Sequence, residues 1–150
     1  HTLSVARICD SYARQNPVLR RDLLIAGALL HDIGKMEEMR LAASVEYTDE
    51  GMLIGHLVQG TLFIEEKLRA LPDFPRVKLN LVLHLVLSHH GQREFGSPVL
   101  PAIPEAFALH HVDNLDAKVF ASCKFIADDN DPNRQWTERS IMLGTKMYKG

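Results

Sequence analysis

At 150 residues, 46% hydrophobic and 24% charged, the chain is long enough for one buried core and too balanced in composition for a disordered or collagen-like polypeptide. A formal net charge of −2 argues against strong sequence-independent binding to a nucleic-acid backbone, which draws on a dense Lys/Arg face. The longest apolar run, Leu23 to Leu30, falls well short of the roughly 20 residues that cross a bilayer, so no membrane span is expected.

From Thr2 to Gln15, Leu3, Val5, Ile8, Cys9 and Tyr12 recur at helical spacing until Asn16-Pro17 breaks the pattern, which predicts a first amphipathic helix. Arg21 to Ile33 reads as a second, more buried helix through Leu23, Leu24, Gly27, Leu30 and His31, with Gly34 as its C′ residue. The pair His31-Asp32 then falls in its last turn. Alternation of Val45, Tyr47 and Thr48 within Ala42 to Asp49 predicts a short strand or an extended loop. A third helix is expected from Glu50 to Ala70, stopped by Leu71-Pro72, and a fourth from about Pro75 to His90, stopped by Gly91. Phe95 to Pro104, with one Gly, one Ser and three Pro, reads as a loop, and Glu105 to Asp128 as a fifth helix carrying Asp113 and Asp116. Trp136 to Tyr148 has the composition of a small hairpin or irregular cap. Cys9 and Cys123 lie in apolar helical patterns and form no CxxC pair, which reads as two reduced core thiols in a cytoplasmic protein.

The unusual count is histidine, eight in all, several paired or beside acids. Hard divalent ions used in phosphoryl hydrolysis take carboxylate oxygen and imidazole nitrogen, so such a site needs His and Asp converging from several elements. His31 and Asp32 are separated by about 100° around a helix axis, so both can lean toward an ion beside the helix end. Asp32 has two oxygens and can bridge two ions. His1, His56, His89, His90 and Asp113 come from other helices, which a bundle can bring to one place. Each is weak alone: His84, flanked by Leu83 and Leu85, reads as an ordinary packing histidine. The ordered series is stronger: His, then His-Asp-x-Gly-Lys, Gly-His, Ser-His-His-Gly, and Asp-x-x-Asp-Ala.

This series resembles the HD-domain metal-dependent phosphohydrolases. The residues carrying the resemblance are His1, HDIGK from His31 to Lys35, His56, SHHG from Ser88 to Gly91, and DNLDA from Asp113 to Ala117. Within that superfamily the chain is most similar to the YhaM-type 3′ to 5′ exoribonucleases, through HTLSVA, LHDIGK, LIGH, LSHHG followed by EFGSP, LHHVDNLDAK and WTER. The resemblance implies an all-α helical bundle of about five main helices with a small irregular or hairpin C-terminal cap, forming a single domain over 1–150. It also implies an upstream OB-fold domain in the intact protein, a natural N-terminal region missing before His1, and a cytoplasmic location.

Position by position, the resemblance implies a first ion held by His1, His31, Asp32 and Asp113, and a second held by Asp32, His56 and His89. His90 could take substrate or an extra metal, because in an adjacent pair only one imidazole easily faces a given ion. Lys35 could pair with a phosphate oxygen, and His110 and Asp116 are expected behind the ligands. Asp32 and Lys35 are thus the expected catalytic residues. The implied chemistry is two ions about 3.5 to 4 Å apart sharing Asp32 and a water, and clamping an in-line displacement at phosphorus. Manganese is the first expectation for the ions, with Fe, Co, Ni, Zn or Mg compatible with the same donors. The expected substrate is single-stranded RNA, releasing 5′-nucleotides. The alternatives are a phosphohydrolase of small nucleotides or cyclic nucleotides, and a non-catalytic regulatory HD domain. The HHExxDGxGYP signature of cyclic-dinucleotide enzymes is absent after His90.

Overall fold

The computed structural model describes residues 1–42 and 44–150; Ala43, inside the stretch read as strand or loop, lies outside the described residues. Seven α-helices appear in chain order among them: α1 Thr2–Gln15, α2 Arg21–Leu30, α3 Lys35–Glu38, α4 Asp49–Ile54, α5 His56–Leu68, α6 Arg76–Ser88 and α7 Pro104–Ala127. Between α3 and α4 a small antiparallel hairpin pairs β1 (Met39–Leu41) with β2 (Val45–Tyr47), Met39 opposite Tyr47. The five longer helices make an all-α bundle, as the apolar periodicity predicts.

Helix α2 sits in the middle, packed on α1, α6 and α7. Its Leu24 and Ala28 join Val5 and Cys9 of α1, Ile64 of α5, Leu85 and Val86 of α6, and Leu109 of α7 in one apolar core. Gly27 lets α6 come close, because a Cβ there would lie 2.5 Å from Leu85 Cδ1. The helix ends follow local chemistry. Asn16 ends α1 and its side chain donates to the Tyr12 carbonyl at 2.8 Å. Thr48 caps α4 by accepting from Gly51 N at 2.9 Å. Pro104 opens α7, where its missing N–H costs nothing. The C-terminal segment forms a hairpin-like cap through Thr137 N to Met147 O and Ser140 N to Thr145 O, with Trp136 bridged to Tyr148.

Four expectations are corrected. Helix α2 stops at Leu30, and His31 is its C-cap, followed by turn residues through Gly34. Gly34 is not a left-handed C′ residue, since its φ is −66°; what requires glycine is close approach, because a Cβ would lie 2.0 Å from the His56 carbonyl oxygen and 2.6 Å from Gly60 N. The stretch 50–70 is two helices, broken where Gly55 adopts φ +76°, so His56 opens α5 instead of lying within a helix. Finally, Cys9 is buried but Cys123 is exposed on α7, so only one thiol belongs to the core.

Candidate functional site

Five histidines and two aspartates meet where the start of α1, the ends of α2 and α6, the start of α5 and the middle of α7 converge. The local structure around four of the histidines fixes their orientation. His31 Nδ1 donates to the Ala28 carbonyl at 2.9 Å, His89 Nδ1 to Val86 O at 2.8 Å, and His90 Nδ1 to Phe95 O at 2.7 Å. His56 Nδ1 donates to Glu38 Oε1 at 3.0 Å. A carbonyl or carboxylate oxygen can only accept, so Nδ1 carries a proton in all four, and whichever ring is neutral, or gives up its second proton to a cation, presents its lone pair on Nε2. All four Nε2 atoms point inward toward Asp32 or one another.

Asp32 stands between two halves of this cluster. Its Oδ1 lies 3.6 Å from His89 Nε2 and 3.7 Å from His56 Nε2. Its Oδ2 lies 3.5 Å from His31 Nε2 and accepts from Lys35 Nζ at 2.7 Å. On one side His1, His31 and Asp113, and on the other His56, His89 and His90, each bring ligand atoms within 4.8 Å of one another. His31 Nε2 is 3.6 Å from Asp113 Oδ1. His1 uses both ring nitrogens, Nε2 to Asp113 at 2.9 Å and Nδ1 to Asp116 at 2.7 Å.

The residues fit a divalent cation on two observations. His31 Nε2 and Asp32 Oδ1 are buried with no hydrogen-bond partner, which is costly for polar atoms unless something fills the space between them. His56 Nε2 and His90 Nε2 face each other at 3.3 Å, and two lone pairs at that distance repel unless a proton or a cation lies between them. The donor set is nitrogen and carboxylate oxygen, suited to Mn, Fe, Co, Ni or Zn.

The electrostatics divide along the same line. Burial opposes charge on His31, but the carboxylates of Asp113 and Asp32 outweigh it and raise the imidazole to about 9. Burial likewise opposes the charge of Asp32, and His31 and Lys35 overcome it, holding the carboxyl well below its ordinary range. On the opposite side burial, with His90 and His31 nearby, pushes His89 down to about 3, and burial also lowers His90. Asp32 is therefore charged, and the His89–His90 side offers neutral rings.

Every candidate ligand named from the sequence lies in this cluster. His90 does too: the rings of the adjacent pair stand with centroids 4.3 Å apart, and both bring a nitrogen within 4.8 Å of the other and of His56. His110 lies behind the cluster, donating from Nδ1 to the His89 carbonyl at 2.9 Å. Its ring fills the space a Cβ on Gly91 would need, at 2.3 Å, and Gly91 also has φ +79°. Asp116 supports His1 and accepts from Ser4 Oγ. His84 is only half-buried, and accepts from Ala102 N at 3.0 Å to tie down the loop before α7. Sequence reasoning missed Glu38. It is buried, accepts from both the backbone N and Nδ1 of His56 at 3.0 Å, and thereby fixes that ring.

Comparison with known proteins gives the family. The HD domain family matches residues 1–118. The chain is 41% identical to the 3′-5′ exoribonuclease YhaM of Bacillus licheniformis over 150 residues, covering 99% of this chain and 46% of that protein. It is 40% identical to YhaM of Bacillus velezensis with the same coverage, and 40% identical to YhaM of Bacillus subtilis over 121 residues. The chain thus spans about half the length of the curated relatives it matches. No solved structure matches it.

Proposed function

The chain belongs to the HD-domain family, and from that membership we propose that it is a metal-dependent phosphodiesterase that removes nucleotides from the 3′ end of single-stranded RNA. The observation that carries the reading is the set of four inward Nε2 atoms gathered beside the Asp32 carboxylate, whose Oδ1 has no hydrogen-bond partner. The similarity to proteins named as 3′-5′ exoribonucleases supplies the substrate.

In this proposal His1, His31 and Asp113 would hold one divalent ion and His56, His89 and His90 a second, with the Asp32 carboxylate between the two groups. Divalent ions in such a site supply Lewis acidity toward a phosphoryl oxygen and make a water acidic enough to attack at neutral pH. The protein does the rest. Asp32, kept ionised, gives the pocket its shared negative charge. Hydrogen bonds from the four Nδ1 atoms hold the rings so that no reorganisation is needed when substrate arrives. Lys35 stands at the rim, 41% exposed, where its ammonium can leave Asp32 and offset charge on a phosphate oxygen. The products are a 5′-nucleotide and a strand one residue shorter. An upstream domain that captures RNA is part of the same proposal.

The test is a time course on RNA labelled at its 5′ end, with Mn²⁺, using this chain and a longer protein of the relatives' length. A ladder shortening from the 3′ end is expected, faster at low substrate with the longer protein. Intact RNA in both reactions alongside hydrolysis of a free nucleotide would replace this reading with a small-molecule phosphohydrolase.

A further inference from the structure

The face of α7 that carries Asp113 does not end at the metal cluster. Seven residues farther along, Phe120 lies within about 20° of the same stripe and about 10 Å along the axis, and Lys124 continues it one turn later. Ala117 and Ala121 flank Phe120 and keep the floor low. Phe125 and Met142, the latter from the C-terminal cap, form the walls of a groove of about 560 Å³ whose mouth is His1 and Lys35. Phe120 is 68% exposed and Met142 69%, so two large apolar side chains stand open to solvent beside the polar cluster.

The charges in this groove cancel. Lys124 Nζ pairs with Asp128 at 2.9 Å, Lys35 with Asp32, and Asp116 with His1. A neutral, apolar slot with an aromatic floor does not recognise another phosphate; it recognises a flat uncharged ring. Its distance from Asp113 is the reach of one nucleoside from its own phosphate. The smaller cavity on the other side of Asp113, about 250 Å³ and lined by His90, His110 and Asn114 among others, is more polar in its lining and is left for the continuing strand.

We propose that this groove is the subsite for the terminal nucleoside, with Phe120 stacking its base and Lys35 at the junction with the scissile phosphate. The proposal rests on the phosphodiesterase reading and adds where the base goes. Stacking on an exposed aromatic ring accepts any base, so the subsite gives affinity without sequence preference.

The test compares binding of adenosine 5′-monophosphate and ribose 5-phosphate to the Mn²⁺-loaded chain by calorimetry, which does not depend on turnover. The nucleotide is expected to bind roughly tenfold or more tightly than the sugar phosphate. Phe120→Ala should erase that difference and leave ribose 5-phosphate binding unchanged, while Phe120→Tyr should keep it; both changes are at an exposed position outside the core. Equal affinity of the two ligands, or a nucleotide preference that survives Phe120→Ala, would overturn the subsite while leaving the phosphodiesterase reading standing. Failure of both ligands to bind would overturn both, and release of inorganic phosphate from the nucleotide would mark failure of the exonuclease reading specifically.

Discussion

His56 Nε2 and His90 Nε2 face each other at 3.3 Å, while their Nδ1 atoms are committed to Glu38 and to the Phe95 carbonyl. Neither ring can turn away without losing a hydrogen bond. A proton or a cation between them relieves the pair; on the proposed metal reading it is the cation, and His90→Ala should lower divalent-ion affinity about 10-fold or more. His84→Gln, which touches the Ala102 loop instead, should leave ion affinity unchanged. Titration with Co²⁺, followed by its visible absorption, separates the two variants.

Glu38 acts on the same site through His56. Glu38→Ala removes the acceptor of both His56 Nδ1 and His56 N, so the ring is free to rotate and swap tautomers. Loss of a carboxylate behind a ligating histidine costs about 10- to 100-fold in metal affinity. Glu37→Ala, at the exposed neighbour, should cost nothing measurable. Equal ion affinity for both variants would remove Glu38 from the account.

Gly34 and Gly55 test the packing that brings the HDIGK segment to α5. Gly34→Ala puts a Cβ 2.0 Å from the His56 carbonyl oxygen, whereas a Cβ at Gly55 meets nothing within 4 Å and only strains a positive φ. The first change should destabilise by about 3 kcal/mol or more, or prevent folding, and the second by about 1 to 2 kcal/mol. Thermal unfolding of the two variants checks the order.

Away from the site, Arg20 donates to both oxygens of buried Glu105, at 3.0 and 2.9 Å, and its backbone N adds a third bond at 2.8 Å. Those bonds, the side-chain ones first, hold the Glu105 carboxyl at about 2 against an ordinary 4.5. The folded value lies below the unfolded one, so the stabilisation is complete above about pH 4.5 and disappears as pH falls through about 2. It amounts to at most on the order of 3 kcal/mol. Glu105→Gln should therefore lower the Tm of the metal-free chain at pH 7, and the gap to wild type should close on acidification. A gap that stays constant down to pH 2.5 would show that packing, not charge, sets it.

The bundle and the ligands were legible in the sequence to different depths. Helix α1 reads from its apolar spacing and the Asn16-Pro17 stop, because those signals are local. The break at Gly55 does not, since apolar residues on both sides continue one helical pattern and a glycine within it is ambiguous until its φ is known. Gly34 was legible as important but for the wrong reason, a left-handed cap, because the His56 carbonyl it admits lies 22 positions away. The hairpin β1–β2 was half visible: its side chains are nearly all exposed, so no burial imposed alternation on Met39–Leu41. The ligand types read directly from the series of motifs. The acceptors that aim their rings did not, because Ala28, Val86 and Phe95 act through backbone carbonyls, which no side chain advertises. Glu38 was hidden beside an identical Glu37 that faces solvent.

On the proposed reading His1, His31, Asp32, His56, His89, His90 and Asp113 form one divalent-ion centre with Asp32 at its middle. Metal analysis of the Mn²⁺-reconstituted chain, in wild type and in Asp32→Asn, tests it most directly. Two equivalents per chain are expected in the wild type, and marked loss at both positions in Asp32→Asn with the fold retained by circular dichroism. Less than about one equivalent in the folded wild type, or a full complement in Asp32→Asn, would contradict it.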